Sequence, residues 1–323
     1  WMDRAEEPLL IVQRTAQALG LPLTSLEIEL GPSQVEAVFA AQDALAAADA
    51  MVLFRHATRQ ALRRAGYHAT FMCRPPFAHI MSSGWHLHQS VVNLATGANT
   101  FVRPPQAPGQ ACDTTPLDAA HTLSDTGCAW LAGLLVHAQG MAAMCTPTVN
   151  GFGRFQPNAL APHAAVWGAD NRGAMLRVVG SAGDHATRIE NRLGEPAANP
   201  YLYMAAQVYA GLDGLARHLV PPQATESPYA TGQSGAAGAL INTPAPAADG
   251  TAGQGDDGAQ ASTALPHSLS QALEALGADT ALTAGLGADW VRYFTRIKLS
   301  ECQRHALAED PLDFERREYF SRI

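Results

Sequence analysis

Arg188-Ile-Glu-Asn-Arg-Leu193, RIENRL in one-letter code, is the stretch on which the fold class turns. Alternate residues of a strand share a face, so a strand over 187–193 sets Arg188, Glu190 and Arg192 on one side. A carboxylate between two guanidiniums is either a self-contained salt-bridge ladder or part of an anion-handling site. Just upstream, Asp170-Asn-Arg-Gly-Ala-Met-Leu-Arg177 adds Arg172 and Arg177, and Asn150-Gly-Phe-Gly-Arg154 adds a fifth arginine. That is a high local concentration for a chain with 21 Lys and Arg in total. Buried or half-buried arginines need anionic partners, and phosphates or carboxylates supply them.

Working outward, strands and helices alternate. Residues 4–19 have apolar positions at helical spacing and stop at Gly20. Leu23–Leu30 is expected as a strand, followed by a turn at Gly31-Pro32-Ser33 and an Ala-rich helix over 40–65. Short strands are expected at 69–72, 84–93 and 174–179. Helices are expected at 118–144, 199–219, 265–276 and 288–307. Residues 150–162 have no periodicity and form an ordered loop or flap. Residues 221–264 are dominated by Pro, Gly, Ala, Ser and Thr, which predicts a flexible surface loop. Neither a GxGxxG nor a P-loop accompanies the alternation.

The 323 residues, 47% hydrophobic and 15% charged, describe a globular chain able to bury a large core. No apolar run spans a membrane. A net charge of -8 argues against nucleic acid as the main partner. Five scattered cysteines without a CxxC pair fit free thiols in a reducing cytoplasm. The start, Trp-Met-Asp-Arg, carries no signal peptide and looks cut from a longer chain.

Two further stretches concentrate ionisable groups. Glu29 and Glu36 flank the Gly31 turn and can bring two oxygen donors to one hard cation, although such a pair is often only solvated. In Ser83-Gly-Trp-His-Leu-His-Gln-Ser90, strand spacing aligns His86, His88 and Ser90. Carboxylates for divalent ions, arginines for anions and no nucleophilic triad together point to phosphoryl transfer by positioning and charge neutralisation.

In order, these motifs resemble the glutamine synthetase family. They run ELGPSQVE (29–36), ATFM-RPPF (69–77), SGWHLHQS (83–90), N-GFGRF (150–155), DNRGAMLRV (170–178), RIENR (188–192) and EPAANPYLYMAAQVYAGLDGL (195–215). The resemblance implies an α+β catalytic domain over residues 1–323, with curved antiparallel strands backed by helices and the flexible loop at about 222–264. It implies ATP, two or more Mg or Mn ions and a large ring-shaped homo-oligomer of the full-length protein. Glu29 and Glu36 would hold one metal, His86 and Glu190 the other. His88, Ser90, Arg177 and Arg188 would face the nucleotide, and Arg172 the phosphoryl group in transfer. Arg154 and Arg192 would clamp the carboxylates of a glutamate-like acid.

Three departures from the family pattern matter. Its Glu-x-Glu metal strand lies upstream of residue 1, as does its small N-terminal domain. Its substrate-holding Asn-Gly is Met81-Ser82 here. Its flap glutamate, which binds ammonium, is Leu160, and an apolar side chain there lines a pocket for an organic amine better than it stabilises an ammonium ion. The expected activity is therefore an ATP-dependent ligase that forms a γ-glutamyl amide from an amine, with ordinary glutamine synthetase and a non-catalytic homologue as the alternatives. Tyr229 is expected to be an ordinary loop residue.

Overall fold

A computed structural model describes residues 2–105, 114–155, 161–228 and 264–323. Leu160, Tyr229 and most of the 222–264 loop lie outside those residues, and 221–228 form no helix or strand. The elements run α1 (Met2–Ala18), β1 (Leu23–Ile28), β2 (Val35–Phe39), α2 (Ala44–Arg64), β3 (Leu87–Gln89), α3 (Asp125–Val136) and α4 (Ala138–Cys145). They continue with β4 (Trp167–Ala169), β5 (Leu176–Val179), β6 (Arg188–Asn191), α5 (Pro200–Ala216), α6 (Leu269–Ala278), α7 (Thr280–Leu286), α8 (Ala288–Ala306) and α9 (Pro311–Glu315).

Within RIENRL the strand β6 spans only Arg188–Asn191, which leaves Arg192 just past its end, and β6 is interior to a four-stranded sheet of order β3-β6-β5-β4. The β3–β6 and β6–β5 pairings are antiparallel, while β4 joins β5 in parallel. The opening expectations differ from the structure in detail. The 84–93 strand shrinks to Leu87–Gln89, which leaves His86 and Ser90 just outside the ladder. Residues 69–72 form no strand, and Phe71 N–H donates to Ile323 O instead. The Ala-rich helix starts only at Ala44, because Val35–Phe39 pairs with β1 as β2.

Local chemistry explains the helix starts. Asn199 caps α5 by accepting from Tyr201 N–H and Leu202 N–H, with Pro200 at the first helical position. Ser124 caps α3 through Gly127 N–H, and Ser268 caps α6 through Gln271 N–H. α3 and α5 cross closely at glycines. A Cβ on Gly133 would stand 2.1 Å from Ala210 O, and one on Gly214 2.1 Å from Ala129 O.

The main core gathers α3, α4, α5 and α6 against one face of the sheet, with Leu131, Met141, Leu176, Ile189, Tyr203 and Leu276 inside it. A second cluster packs Val12 and Phe54 with Leu26, Phe39 and Phe71 under the β1–β2 hairpin. α2 belongs to both regions. Its Phe54 meets Phe39 edge-on at 4.9 Å. The next residue, Arg55, donates to Pro196 O (2.5 Å) and Ala198 O (2.9 Å) and lies over the Trp85 ring. Among the described residues no single helix is long and apolar enough to cross a membrane; α3 and α4 pass that test only as a pair bent by 77°. Both are mostly buried in the core.

His137 sits at that bend and is buried. Its Nδ1 lies 2.7 Å from Asp279 and its Nε2 2.9 Å from Asp213, so one imidazole ties α4 to α5 and to the start of α7. Burial alone would lower its pKa, but hydrogen bonds and charge from the two aspartates raise it above the ordinary value. The fold therefore binds the proton. The resulting stabilisation is complete below the unfolded value of about 6.5 and is lost as pH rises through the raised folded value. The thermal midpoint should fall over that window. In His137→Gln the slope should flatten, with about 3 kcal/mol lost at pH 6, read by thermal unfolding against pH.

Candidate functional site

The sheet face turned from the core carries the charged residues. Register sets His88 of β3 and Arg177 of β5 directly across from Glu190 of β6. Glu190 is 1% exposed. Its Oε2 accepts from Arg177 Nη1 at 3.0 Å, and its Oε1 accepts from Arg192 Nη1 at 2.6 Å with His86 Nδ1 at 3.3 Å. Burial works against ionisation of this carboxyl. Arg192, His86, His88 and Arg177 outweigh it and hold the pKa below the usual range. On its other side Arg177 is paired with Asp170.

His86 is the opposite case. Burial, then Arg192 and Arg154, push its pKa down to about 3 against the pull of Glu190, so its ring is neutral and keeps a lone pair. His88 is also lowered, by burial first and then by Arg188, Arg177 and Arg192. Its Nδ1 accepts from Arg188 Nε at 3.1 Å. That bond leaves Nε2 as the protonated nitrogen, a donor suited to a phosphate oxygen.

The acidic part of the site is the β1–β2 hairpin. Glu27 is paired with Glu36, like charges directly opposite each other, and Glu29 follows two residues along the same face. The Glu36 carboxyl still meets solvent, yet its pKa is raised to about 7 by partial burial, a hydrogen bond with Glu29, and the charges of Glu29, Glu27 and Glu190. Crowded oxygens that resist ionisation are a donor set that fits a hard divalent cation. The fit is partial. Among the described residues no three His, Cys, Asp or Glu side chains stand together as metal ligands.

The remaining expected residues are placed as follows. Arg154 is 2% exposed and donates to the backbone, from Nη1 to Leu193 O (3.1 Å) and from Nη2 to Arg192 O (2.5 Å). As it stands it fixes the end of β6 and hence Arg192. Gly84 belongs to the same corner, where a Cβ would lie 3.1 Å from Arg154 Nη2. Arg172 is exposed ahead of β5, and Ser90 is exposed past the end of β3. Met81 is 38% exposed, and Ser82 Oγ accepts from Arg74 Nη1 at 2.5 Å.

Arg74, Asn150, Asp170 and Glu195 are additions. All four stand at motif positions, which was the available signal, but only their contacts show what they do. Glu195 is fully buried and accepts from Thr148 N–H (2.9 Å) and Thr148 Oγ1 (2.8 Å). Thr148 Oγ1 in turn accepts from Gly151 N–H, which starts the short 3-10 turn carrying Arg154. Burial pushes the Glu195 pKa up to about 7, against the pull of the Thr148 bonds and Arg154. A Cβ on Gly151 would stand 2.5 Å from Glu195 Oε2 and 2.6 Å from Thr146 Cγ2. Gly151→Ala should therefore destabilise by about 2 kcal/mol and displace the Arg154 turn, seen as a lower denaturation midpoint together with lost activity.

The geometry can be set beside known proteins. A family model described as glutamine synthetase, catalytic domain, matches residues 2–240. A gamma-glutamylanilide synthase from Acinetobacter sp is 37% identical over 331 residues, covering 99% of this chain and 58% of its own length. A glutamine synthetase from Thermus thermophilus is 35% identical over 221 residues, 68% of this chain and 46% of its own length. The solved structure of a GmaS/ADP complex superposes with a TM-score of 0.74 at 29% identity, over 98% of this chain and 64% of that one. The chain thus spans about half the length of the curated relatives it matches. With the motifs in order and the same fold, the chain belongs to the glutamine synthetase family.

Proposed function

We propose that this chain is the catalytic part of an ATP-dependent ligase that joins glutamate, or a related acid, to an organic amine through a γ-glutamyl phosphate. The observation that carries this is the Glu190 centre, one buried carboxylate among Arg177, Arg192 and His86 and within the field of Glu36. Cation-binding oxygens on one side and guanidiniums on the other form the charge layout that phosphoryl transfer needs. Support for an organic amine comes from the 37% identity to a gamma-glutamylanilide synthase and from Leu160, where the family's ammonium glutamate would stand.

Glu29 and Glu36 are assigned to one divalent ion, and His86 with Glu190 to a second. Such ions, Mg or Mn, would neutralise charge on the transferring group when bound. His88 and Ser90 face the ATP phosphates, with Arg177 and Arg188 balancing their charge and Arg172 meeting the phosphoryl group. Arg192 and Arg154 hold the carboxylates of the acid beside Met81-Ser82, and Arg154 also fixes the Arg192 backbone. Cys73, Cys128, Cys145 and Cys302 are free thiols, which suits the cytoplasm. Assembly into a ring of copies is part of the same proposal.

The test is phosphate release by the full-length protein with ATP, glutamate and a panel of amines in Mg or Mn. An organic amine should give a higher kcat/KM than ammonia. Ammonia as the best nucleophile would instead select ordinary glutamine synthetase, and no release with any amine would remove the enzyme assignment. Arg192→Ala should raise the KM of the acid by about tenfold or more while leaving the KM of ATP nearly unchanged. Leu160→Glu should shift preference toward ammonia.

A further inference from the structure

We infer that Glu315, in the C-terminal segment, is a positioning residue for the acid-binding side of the site and acts through Asn150. This rests on the proposal that Arg154 and Arg192, beside Met81-Ser82, take the acid.

The contacts form one chain. Glu315 ends α9, and Asp310 caps that short helix by accepting from Leu312 N–H and Asp313 N–H. Glu315 Oε2 accepts from Asn150 Nδ2 at 2.5 Å, and its Oε1 faces His305 Nε2 at 3.1 Å. Asn150 is 6% exposed and grips the backbone of Arg74 at two points. Arg74 N–H donates to Asn150 Oδ1 (2.8 Å), and Asn150 Nδ2 donates to Arg74 O (3.0 Å). The Arg74 side chain then crosses Gly153, whose absent Cβ would lie 3.2 Å from Arg74 Cδ, and reaches Ser82 Oγ.

Both hydrogens of the Asn150 amide are therefore committed, one to Arg74 and one to Glu315. A carboxyl acceptor makes the second bond the stronger kind. Without Glu315 a buried amide hydrogen loses its partner, and the amide is free to rotate away from Arg74. Asn150 also opens the turn that ends at Arg154. Glu315 thus orients two arginines on the acid side from a segment that meets neither of them directly. Among the described residues, no hydrogen bond or ion pair of His88, Arg188 or Arg177 on the nucleotide side reaches Glu315. The segment holds its place by other means, through Tyr319, whose hydroxyl donates to Glu301 and accepts from Val149 N–H.

The experiment is steady-state kinetics of the full-length enzyme bearing Glu315→Ala, Glu315→Gln or Arg192→Ala. Glu315→Ala should raise the KM of the acid about tenfold with the KM of ATP within about twofold of wild type, the size expected for one orphaned buried donor. Glu315→Gln keeps an acceptor oxygen and should restore the acid KM. An unmoved acid KM, equal rises for acid and ATP, or failure of Gln to rescue would each overturn the inference. If Glu315→Ala does not fold, Glu315→Asp, with its shorter reach, must show the same selective rise or the inference falls. Arg192→Ala separates the two claims. If it leaves the acid KM unchanged, the placing of the acid is wrong; if it raises that KM while Glu315→Ala does not, only the role of Glu315 is wrong.

Discussion

A carboxylate with 1% of its surface exposed cannot stay ionised unless positive groups meet it, and Glu190 imposes that requirement on everything around it. Its position in β6, with β3 on one side and β5 on the other, lets two guanidiniums answer, Arg177 across the ladder and Arg192 two residues on, with the neutral His86 ring beside them at the edge of β3. Each of those groups is in turn held. Arg177 is braced by Asp170, and the Arg192 backbone is fixed by Arg154. Glu195 holds the turn from which Arg154 projects, through Thr148. The site is thus a series of buried polar groups, each satisfied by the next, and loss of one exposes the desolvation cost of its neighbour.

The strand at 188–191 and the helix entered at Asn199-Pro200 were legible because period and cap chemistry are local. β2 was not, because its burial is graded along the strand rather than alternating, and its partner β1 decides it. β4 is three residues long and exists through its parallel pairing with β5, which no local pattern encodes. α7 contains two threonines and a glycine. It forms because Asp279 caps it and Leu282 is completely buried. The proposed strand at 69–72 had the right composition but finds its hydrogen bonds at the C-terminal residues.

The candidate site divides the same way. Residue types and motif order brought out Glu29, Glu36, His86, His88 and the arginines, since carboxylates, imidazoles and guanidiniums at these spacings have limited uses. Sequence could not show that His88, Glu190 and Arg177 lie in one row, because register between strands is a tertiary property. Nor could it show that the Arg154 guanidinium is engaged by backbone carbonyls, or that Asn150 meets a residue 165 positions away. Leu160, the position most informative about the nucleophile, lies outside the described residues and rests on sequence alone.

Helix α2 packs against both the hairpin cluster and the main core. Its Phe54 packs under the acidic hairpin, and its Arg55 grips the carbonyls of Pro196 and Ala198 at the entrance to α5, just beyond the basic end of β6. The two contacts are adjacent on one helix, so they turn together. A rotation of α2 would therefore disturb the packing under the hairpin and the loop that follows Arg192 at once. The placement of the electronegative and electropositive walls of the site thus has one helix in common.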